Sequence, residues 1–220
     1  MCFKEVHLEI YRQYSCCQSG FVVKEVIIMK KILLPIILTL SIALVACNNT
    51  TIKHNNADAK MPYYETLSEL EESAEQIIRV KKTDVETPVI KRYEGHLISA
   101  WTFSDVEIID VYKDISDSLK VGDTVSILEN EAYDKETNTV EHVNGYIKMV
   151  PGYEYLLFLR ASEYDNGDKY YVSLGLNLGT VSLQNDGREE LINTISGESI
   201  NNETATDKEV ISEIRNKYIK

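Results

Sequence analysis

The stretch Tyr153–Leu159, with the sequence YEYLLFL, is apolar on both faces of an extended chain. Such a run is typical of a central β-strand, which is covered by protein on both sides. Pro151 and Gly152 break the chain before it, and the sequence Asp165-Asn166-Gly167-Asp168 after it has the composition of a hairpin loop. The sequence therefore predicts a sheet in which this strand is central and pairs with the strand that follows it.

Alternating residues predict that following strand. Ser173, Gly175, Asn177 and Gly179 separate four apolar residues, which are Val172, Leu174, Leu176 and Leu178. Because successive side chains of a strand point to opposite faces, the four apolar residues are expected to share one buried face.

A long strand is predicted upstream, over His96–Lys113, which is rich in β-branched and aromatic residues. Its apolar positions include Trp101 and Phe103, and the parity then shifts to Val106 and Ile108. A shift of parity inside one strand predicts a β-bulge, which lets a long strand bend around a closed barrel.

Helices are predicted at both ends of the domain. Thr66 and Glu69 have capping-box spacing before a short N-terminal helix, and Thr206 and Glu209 repeat it before a C-terminal amphipathic helix. About six short strands with turns between them lie between these helices. This order predicts a mainly β fold, a small antiparallel barrel with a helix at each end.

A separate signal lies before the domain, where Lys30-Lys31 precede an apolar run from Ile32 to Ala46. A basic start followed by a short apolar core is typical of a secretory signal. A membrane-spanning helix needs about 20 apolar residues, more than this run provides. Its last residues, Leu44-Val45-Ala46-Cys47, resemble the lipobox of bacterial lipoproteins. The resemblance implies that Cys47 is diacylated and that the mature protein is anchored by lipid on the extracytoplasmic face of the cell membrane.

Residues 1–28 precede this signal, although signals normally begin a chain. Lys24-Glu25-Val26 can be encoded by a ribosome-binding sequence, and Met29 follows two residues later. We therefore expect translation to start at Met29, residues 29–46 to be the signal peptide and residues 1–28 to be an over-extension of the reading frame. The polar residues 47–61 are expected to form a flexible tether, with a single domain over residues 62–220.

The strand and turn pattern also carries a resemblance. Over Glu69–Leu183 the order of segments resembles that of small lipoproteins of Gram-positive bacteria. More distantly, it resembles netrin and tissue-inhibitor-of-metalloproteinases modules. The segments that carry the resemblance are Glu69–Val80, Val106–Lys113, Gly122–Val125 and Gly152–Leu159. These modules are OB-type barrels, so the resemblance implies an OB-like barrel here. Metalloproteinase inhibition in that family uses a free N-terminal cysteine, which an acylated Cys47 does not provide.

Composition excludes one class of partner. From Cys47 onward the chain has 174 residues, with 18 Lys and Arg against 32 Asp and Glu and a net charge of −14. Such a surface repels nucleic acid. Cys47 is the only cysteine in this part, so no disulfide is expected.

No catalytic motif is recognisable. His54, His96 and His142 lack metal-ligand spacing, so neither a metal nor a cofactor is predicted. His54 is expected to be a solvated part of the tether and His142 a surface residue of a charged hairpin. The acidic stretch from Glu129 to Glu136 is interpreted as a solvated face, and calcium binding to the acidic loops stays open.

The fourteen tyrosines suggest a binding surface, because tyrosine combines an apolar ring with a polar hydroxyl group. The predicted binding residues are Trp101, Tyr153, Tyr155, Tyr170 and Tyr171. The sequence thus favours a non-catalytic module that contacts an envelope protein, a peptide or a glycan. The alternative is a small envelope hydrolase with a site built from scattered carboxylates and His142.

Overall fold

A computed structural model of the chain describes residues 51–164, 166–195 and 203–219. The predicted start at Met29, the signal peptide and Cys47 lie outside these residues. In chain order the elements are β1 (Lys53–Ala57), α1 (Leu67–Ser73), β2 (Gln76–Tyr93), β3 (His96–Asp114), β4 (Thr124–Glu129), β5 (Glu131–Asp134), β6 (Thr139–Val143), β7 (Glu154–Glu163), β8 (Lys169–Ser173), β9 (Thr180–Ser182), α2 (Arg188–Ile195) and α3 (Glu203–Tyr218). The fold is mainly β, as predicted. Across these three ranges, no helix has both the length and the apolar character needed to cross a membrane.

Five strands pair in a closed ring in the order β2-β3-β4-β8-β7, and β7 pairs back to β2. Four of the five pairings are antiparallel. The fifth is parallel and joins β4 to β8 through Ile127↔Tyr171 and Leu128↔Val172. β9 extends the sheet by pairing with β7 beyond the ring.

β7 is the central strand that the sequence predicts. All five residues from Tyr155 to Leu159 are buried. Tyr155, Leu157 and Leu159 pack inside the ring with residues of the other four strands. Leu156 and Phe158 point the other way, into a second core that includes residues of α1, α3 and the turn after β8. Because successive side chains of a strand point to opposite faces, β7 contributes residues to both cores.

No bulge lies at the position where the parity of β3 was expected to shift. Thr102, Ser104, Val106 and Ile108 are all buried, so β3 keeps one parity over these residues and shows no shift between Phe103 and Val106. The irregularity at this level is on β2, where residues 83–85 lie opposite Asp105, and β3 has its own extra residues further away, at Ile98, Ile109 and Tyr112. The apolar side chains of Trp101 and Phe103 produced the apparent shift because they lie on the outer face.

β3 pairs with β4 only from Thr102 onward, and before that point β2 and β3 continue beyond the ring as a two-stranded hairpin arm, residues 89–101, with Trp101 at its base. Its turn is made by Glu94 and Gly95, with φ angles of 48° and 81°. Both residues therefore adopt the left-handed conformation that tight hairpins need, and glycine adopts it without a steric penalty.

A second sheet has the order β1-β6-β5. Lys53–Ala57 form its parallel edge strand on β6, so the prediction of a flexible tether is wrong for these residues. Every side chain of β1 is exposed, and polar contacts such as Asn55 Nδ2 to Glu141 Oε2 (2.6 Å) hold the strand in place. A strand without apolar alternation gives no pattern that a sequence reading can detect.

The strand predicted over Val172–Leu178 ends at Ser173. Residues 174–179 form turns, with Gly175 and Leu176 at φ angles of 62° and 55°. Leu174 and Leu178 are buried nonetheless, because the turn packs against α1 and α3 in the second core. The alternating leucines thus correctly indicated burial, but not the backbone conformation or the shared strand face.

The two predicted helices are present. Thr66 Oγ1 accepts a hydrogen bond from Glu69 N (3.2 Å) at the start of α1. α3 ends at Tyr218 and buries Val210 and Ile214 in the second core. α2, Arg188–Ile195, was not predicted from the sequence.

Candidate functional site

Four aromatic rings form a contiguous cluster on the outer face of the ring of strands. This aromatic face consists of Trp101 and Phe103 on β3, Tyr164 after β7 and Tyr170 on β8. The inner face of β3 is occupied by residues of the opposite parity, so Trp101 and Phe103 have to lie outside. All four rings remain partly accessible to solvent.

The rings contact one another directly. The Tyr164 and Tyr170 centroids are 4.7 Å apart, and Phe103 lies 5.1 Å from Tyr164 and 5.3 Å from Tyr170. Trp101 meets the edge of Phe103 with centroids 6.3 Å apart and an interplanar angle of 88°. These are preferred arrangements for aromatic pairs, so the rings hold each other in place.

The β7–β8 hairpin positions the two tyrosines. Tyr164 N donates to Asp168 O (2.8 Å), and Gly167 N donates to Tyr164 O (2.9 Å). Tyr170 pairs with Ser162 in the register of the two strands. The hairpin predicted from the turn residues is therefore present, and it brings its two tyrosines next to Phe103.

Polar groups border the aromatic face. Lys91 Nζ lies 4.8 Å from the centroid of the Trp101 ring. Trp101 Nε1 is a buried donor without a hydrogen-bond partner among the described residues. Burial raises the pKa of Tyr164, so its hydroxyl group stays protonated and can donate or accept a hydrogen bond. The surface thus combines apolar ring faces with hydrogen-bonding groups at its rim.

Only two of the five predicted binding residues belong to this surface, Trp101 and Tyr170. Tyr155 and Tyr171 are buried inside the ring, and Tyr153 is partly buried against the same core. Tyr155 and Tyr171 are therefore not part of the aromatic face. Tyr155 has a structural role, since its hydroxyl accepts from Val150 N (2.8 Å) and donates to Asp186 Oδ2 (2.7 Å).

Phe103 and Tyr164 were missed by the sequence analysis. Phe103 was used only as an apolar position on one side of the expected parity shift, and Tyr164 flanks the hairpin loop. The alternation of residues along β3 could have indicated that Phe103 is exposed, since Phe103 is out of phase with Val106 and Ile108. An apolar residue out of phase with its strand indicates either a bulge or an exposed apolar surface, and here it is the latter.

His142 is nearly fully buried, at 2% exposure, which corrects its prediction as a surface residue. Its Nδ1 lies 3.0 Å from Tyr146 O and 3.2 Å from Glu131 Oε2. Burial lowers the pKa of His142, but the contacts with Glu131 and Tyr146 outweigh it, so the pKa is raised. Its Nε2 lies 2.9 Å from His54 Nδ1, so His54 joins β1 to β6 and is not a solvated spacer.

These contacts bear on the hydrolase alternative. The two nitrogen atoms of His142 contact a carboxylate, a carbonyl group and another imidazole. A nucleophilic hydroxyl group is not among these contacts, although a serine hydrolase needs one beside its base. Within the three described ranges, no group of three or more His, Cys, Asp or Glu side chains is arranged to hold a metal ion.

The acidic stretch is not uniformly solvated. Glu129 is fully buried, and its Oε2 accepts hydrogen bonds from Tyr146 Oη (2.9 Å) and Met149 N (2.7 Å). Burial raises the pKa of Glu129. Asp134 is also buried and is bonded to Arg92 of the hairpin arm. The interpretation of these residues as a solvated face is therefore wrong for Glu129 and Asp134.

A cleft of about 810 Å³ lies between residues 56–64, the turn after β8 and the helices α2 and α3. Its charged lining residues are of both signs and include Lys60, Lys208 and Glu189. It has the volume of a small-molecule site, but its lining does not single out a class of ligand.

A comparison with protein-family models found no match, and neither did a comparison with curated proteins. Function therefore has to be inferred from the aromatic face and its surroundings.

Proposed function

We propose that this protein is a lipid-anchored, extracytoplasmic binding module whose ligand lies across the aromatic face. The observation that carries the proposal is the contact between four partly exposed rings on the outside of the ring of strands. A contiguous exposed apolar patch on a small domain is typical of a binding surface. Because the rings support one another, little side-chain freedom is lost when a ligand binds.

The OB-type barrel that the sequence resembles supports the same surface. OB-folds bind ligands on the face of their second and third strands and on the loop between the fourth and fifth. The second and third strands of the closed ring are β3 and β4, and the β7–β8 loop joins its fourth and fifth strands in chain order. Phe103 lies on β3 and Tyr164 in the loop, and Tyr170 follows the loop as the second residue of β8.

The chemistry of the surface favours a glycan as the ligand. OB-folds bind oligonucleotides and oligosaccharides, and the net charge of −12 repels a polyanion. The apolar face of a sugar ring can stack on tyrosine and phenylalanine, while a sugar hydroxyl group can bond to Tyr164 Oη. A cell-wall glycan is a neutral or weakly charged polymer that an extracytoplasmic module encounters.

Trp101 makes this proposal directly measurable, because it is the only tryptophan in the chain. Soluble peptidoglycan fragments and N-acetylglucosamine oligomers are expected to change its fluorescence in a saturable titration. Tyr164→Ala should weaken binding about tenfold, since stacking on one ring contributes on the order of 1–3 kcal/mol in comparable base-stacking sites. Tyr133→Ala is the matched control, because Tyr133 is 38% exposed and Tyr164 is 36% exposed. An unchanged spectrum with both ligands, or equal weakening by the two variants, would refute a glycan site here.

Acylation of Cys47 requires a separate test. Cys47→Ala is expected to abolish labelling of the protein with palmitate and to release it from the membrane fraction, because two acyl chains are needed for stable anchoring. Cys17→Ala, in the segment expected to be untranslated, serves as the control and should leave labelling intact. Labelling that survives Cys47→Ala would contradict the lipid anchor.

A further inference from the structure

The tip of the hairpin arm exposes apolar side chains far from either core. The arm tip, residues 91–98, includes Tyr93, Leu97 and Ile98, whose exposed fractions are 67%, 37% and 63%. A hairpin turn at Glu94 and Gly95 separates Tyr93 from the other two. Exposed apolar groups at the end of a projecting hairpin indicate a contact surface.

The β5–β6 turn contacts both the arm tip and the first residues of the described chain. Arg92 is bonded to Asp134 Oδ2, and its Nη1 lies 3.2 Å from Glu136 Oε2 in the β5–β6 turn. In the same turn, Asn138 O accepts from Lys53 N (3.1 Å), and Asn138 Nδ2 donates to Thr51 O (3.3 Å). The arm tip and Thr51 are therefore at the same end of the domain.

The position of Thr51 limits how far the domain can be from its anchor. Cys47 precedes Thr51 by four residues. Four residues span at most about 14 Å even when they are fully extended. An acyl chain on Cys47 that is inserted in the bilayer therefore brings this end of the domain, with the arm tip, to the membrane surface.

The charges at this end are compatible with a lipid surface. The arm tip, the β5–β6 turn and the first residue of β1 carry four cationic side chains, those of Lys53, Lys91, Arg92 and Lys135. Glu94, Asp134 and Glu136 oppose them, so this end lacks the excess negative charge of the chain, which is −12 overall. Anionic headgroups attract basic side chains, and tyrosine is enriched at membrane interfaces.

We propose that the arm tip is a second membrane contact, with Tyr93, Leu97 and Ile98 in the headgroup region of the bilayer that holds the Cys47 lipid. This inference rests on the proposed lipid anchor and adds an orientation to it. A lipid on a short segment allows the domain to rotate, whereas a second contact fixes which end faces the membrane.

Two single-cysteine variants of the anchored full-length protein test this contact. Ile98→Cys places a thiol at the arm tip, and Ile115→Cys places one just beyond the other end of β3, at a site with 67% exposure against 63%. A protein that starts at Met29 and is processed at Cys47 does not contain Cys2, Cys16 and Cys17, so the introduced thiol is the only free one. Each variant is labelled with an environment-sensitive fluorophore in phosphatidylglycerol–phosphatidylcholine vesicles that contain a spin-labelled lipid quencher.

The label at position 98 is expected to shift to shorter wavelength and to lose at least half of its intensity to the quencher, while the label at position 115 changes little. Equal quenching at both positions, or none at position 98, overturns the membrane contact while flotation with the vesicles still supports the anchor. Protein that does not float with the vesicles refutes the anchor, and the arm-tip contact with it.

Discussion

Replacing Glu129 with methionine is expected to lower the free energy of unfolding by about 2–6 kcal/mol. Two buried donors lose their acceptor, and each unsatisfied donor costs about 1–3 kcal/mol. The donors are Tyr146 Oη and Met149 N, which both bond to Glu129 Oε2. Such a loss is a large share of the typical stability of about 5–15 kcal/mol for a domain. Urea denaturation at neutral pH measures it.

Glu129→Gln is the matched control, since an amide oxygen can accept both hydrogen bonds. Combining Glu129→Met with Tyr146→Phe should recover part of the loss, because one of the unpaired donors is then removed. A stability of Glu129→Met within 0.5 kcal/mol of wild type, on the order of the scatter of neutral surface changes, would show that this buried network is not formed.

The same carboxyl group makes stability depend on pH. Burial raises the pKa of Glu129 above its value of about 4.3 in an unfolded chain. Its contribution is therefore fully present below about pH 4.3 and is lost as the pH rises through the folded-state pKa. Wild type should gain stability relative to Glu129→Gln as the pH falls from about 7 to about 5.

Phe158→Ala is expected to destabilise the domain by about 3–5 kcal/mol, through lost burial and the cavity that remains. Phe158 is fully buried in the second core, where its ring lies 6.0 Å from that of Tyr218 on α3. Arg160→Ala, two residues further along β7, is the control, because Arg160 is exposed and its ion pair with Glu75 is long (3.9 Å). Thermal melts of both variants give the comparison, and equal shifts of the midpoint would mean that β7 does not pack as described.

The fold was partly predictable because its strongest signals are local. The apolar run of β7, the hairpin loop after it and the cap at Thr66 each depend on a few neighbouring residues. β1 escaped prediction because polar contacts hold it, and these involve residues such as His142 that lie about 90 positions away in the chain. The parallel pairing of β4 with β8 likewise leaves no local pattern.

The candidate site was predictable only in part, and for a related reason. Tyrosine content indicated a binding surface, but composition does not show which tyrosines face outward. Tyr170 and Tyr171 are neighbours in the sequence, yet one lies in the aromatic face and the other inside the ring. Which of two adjacent residues is exposed depends on strand register, and the distant partners of β8 determine that register.

The parallel pairing that closes the ring also has a consequence for the order in which the chain can fold. β4 ends at Glu129, but its partner residues Tyr171 and Val172 are synthesised more than 40 positions later. Chains are synthesised at about 5–20 residues per second, so the backbone groups of β4 that later pair with β8 stay unpaired for some seconds. Pairings between distant segments also form slowly, since the intervening chain must first be closed into a loop. Closure of the ring is thus a late event, and a chain that stops before β8 has no closed ring and an unprotected strand edge.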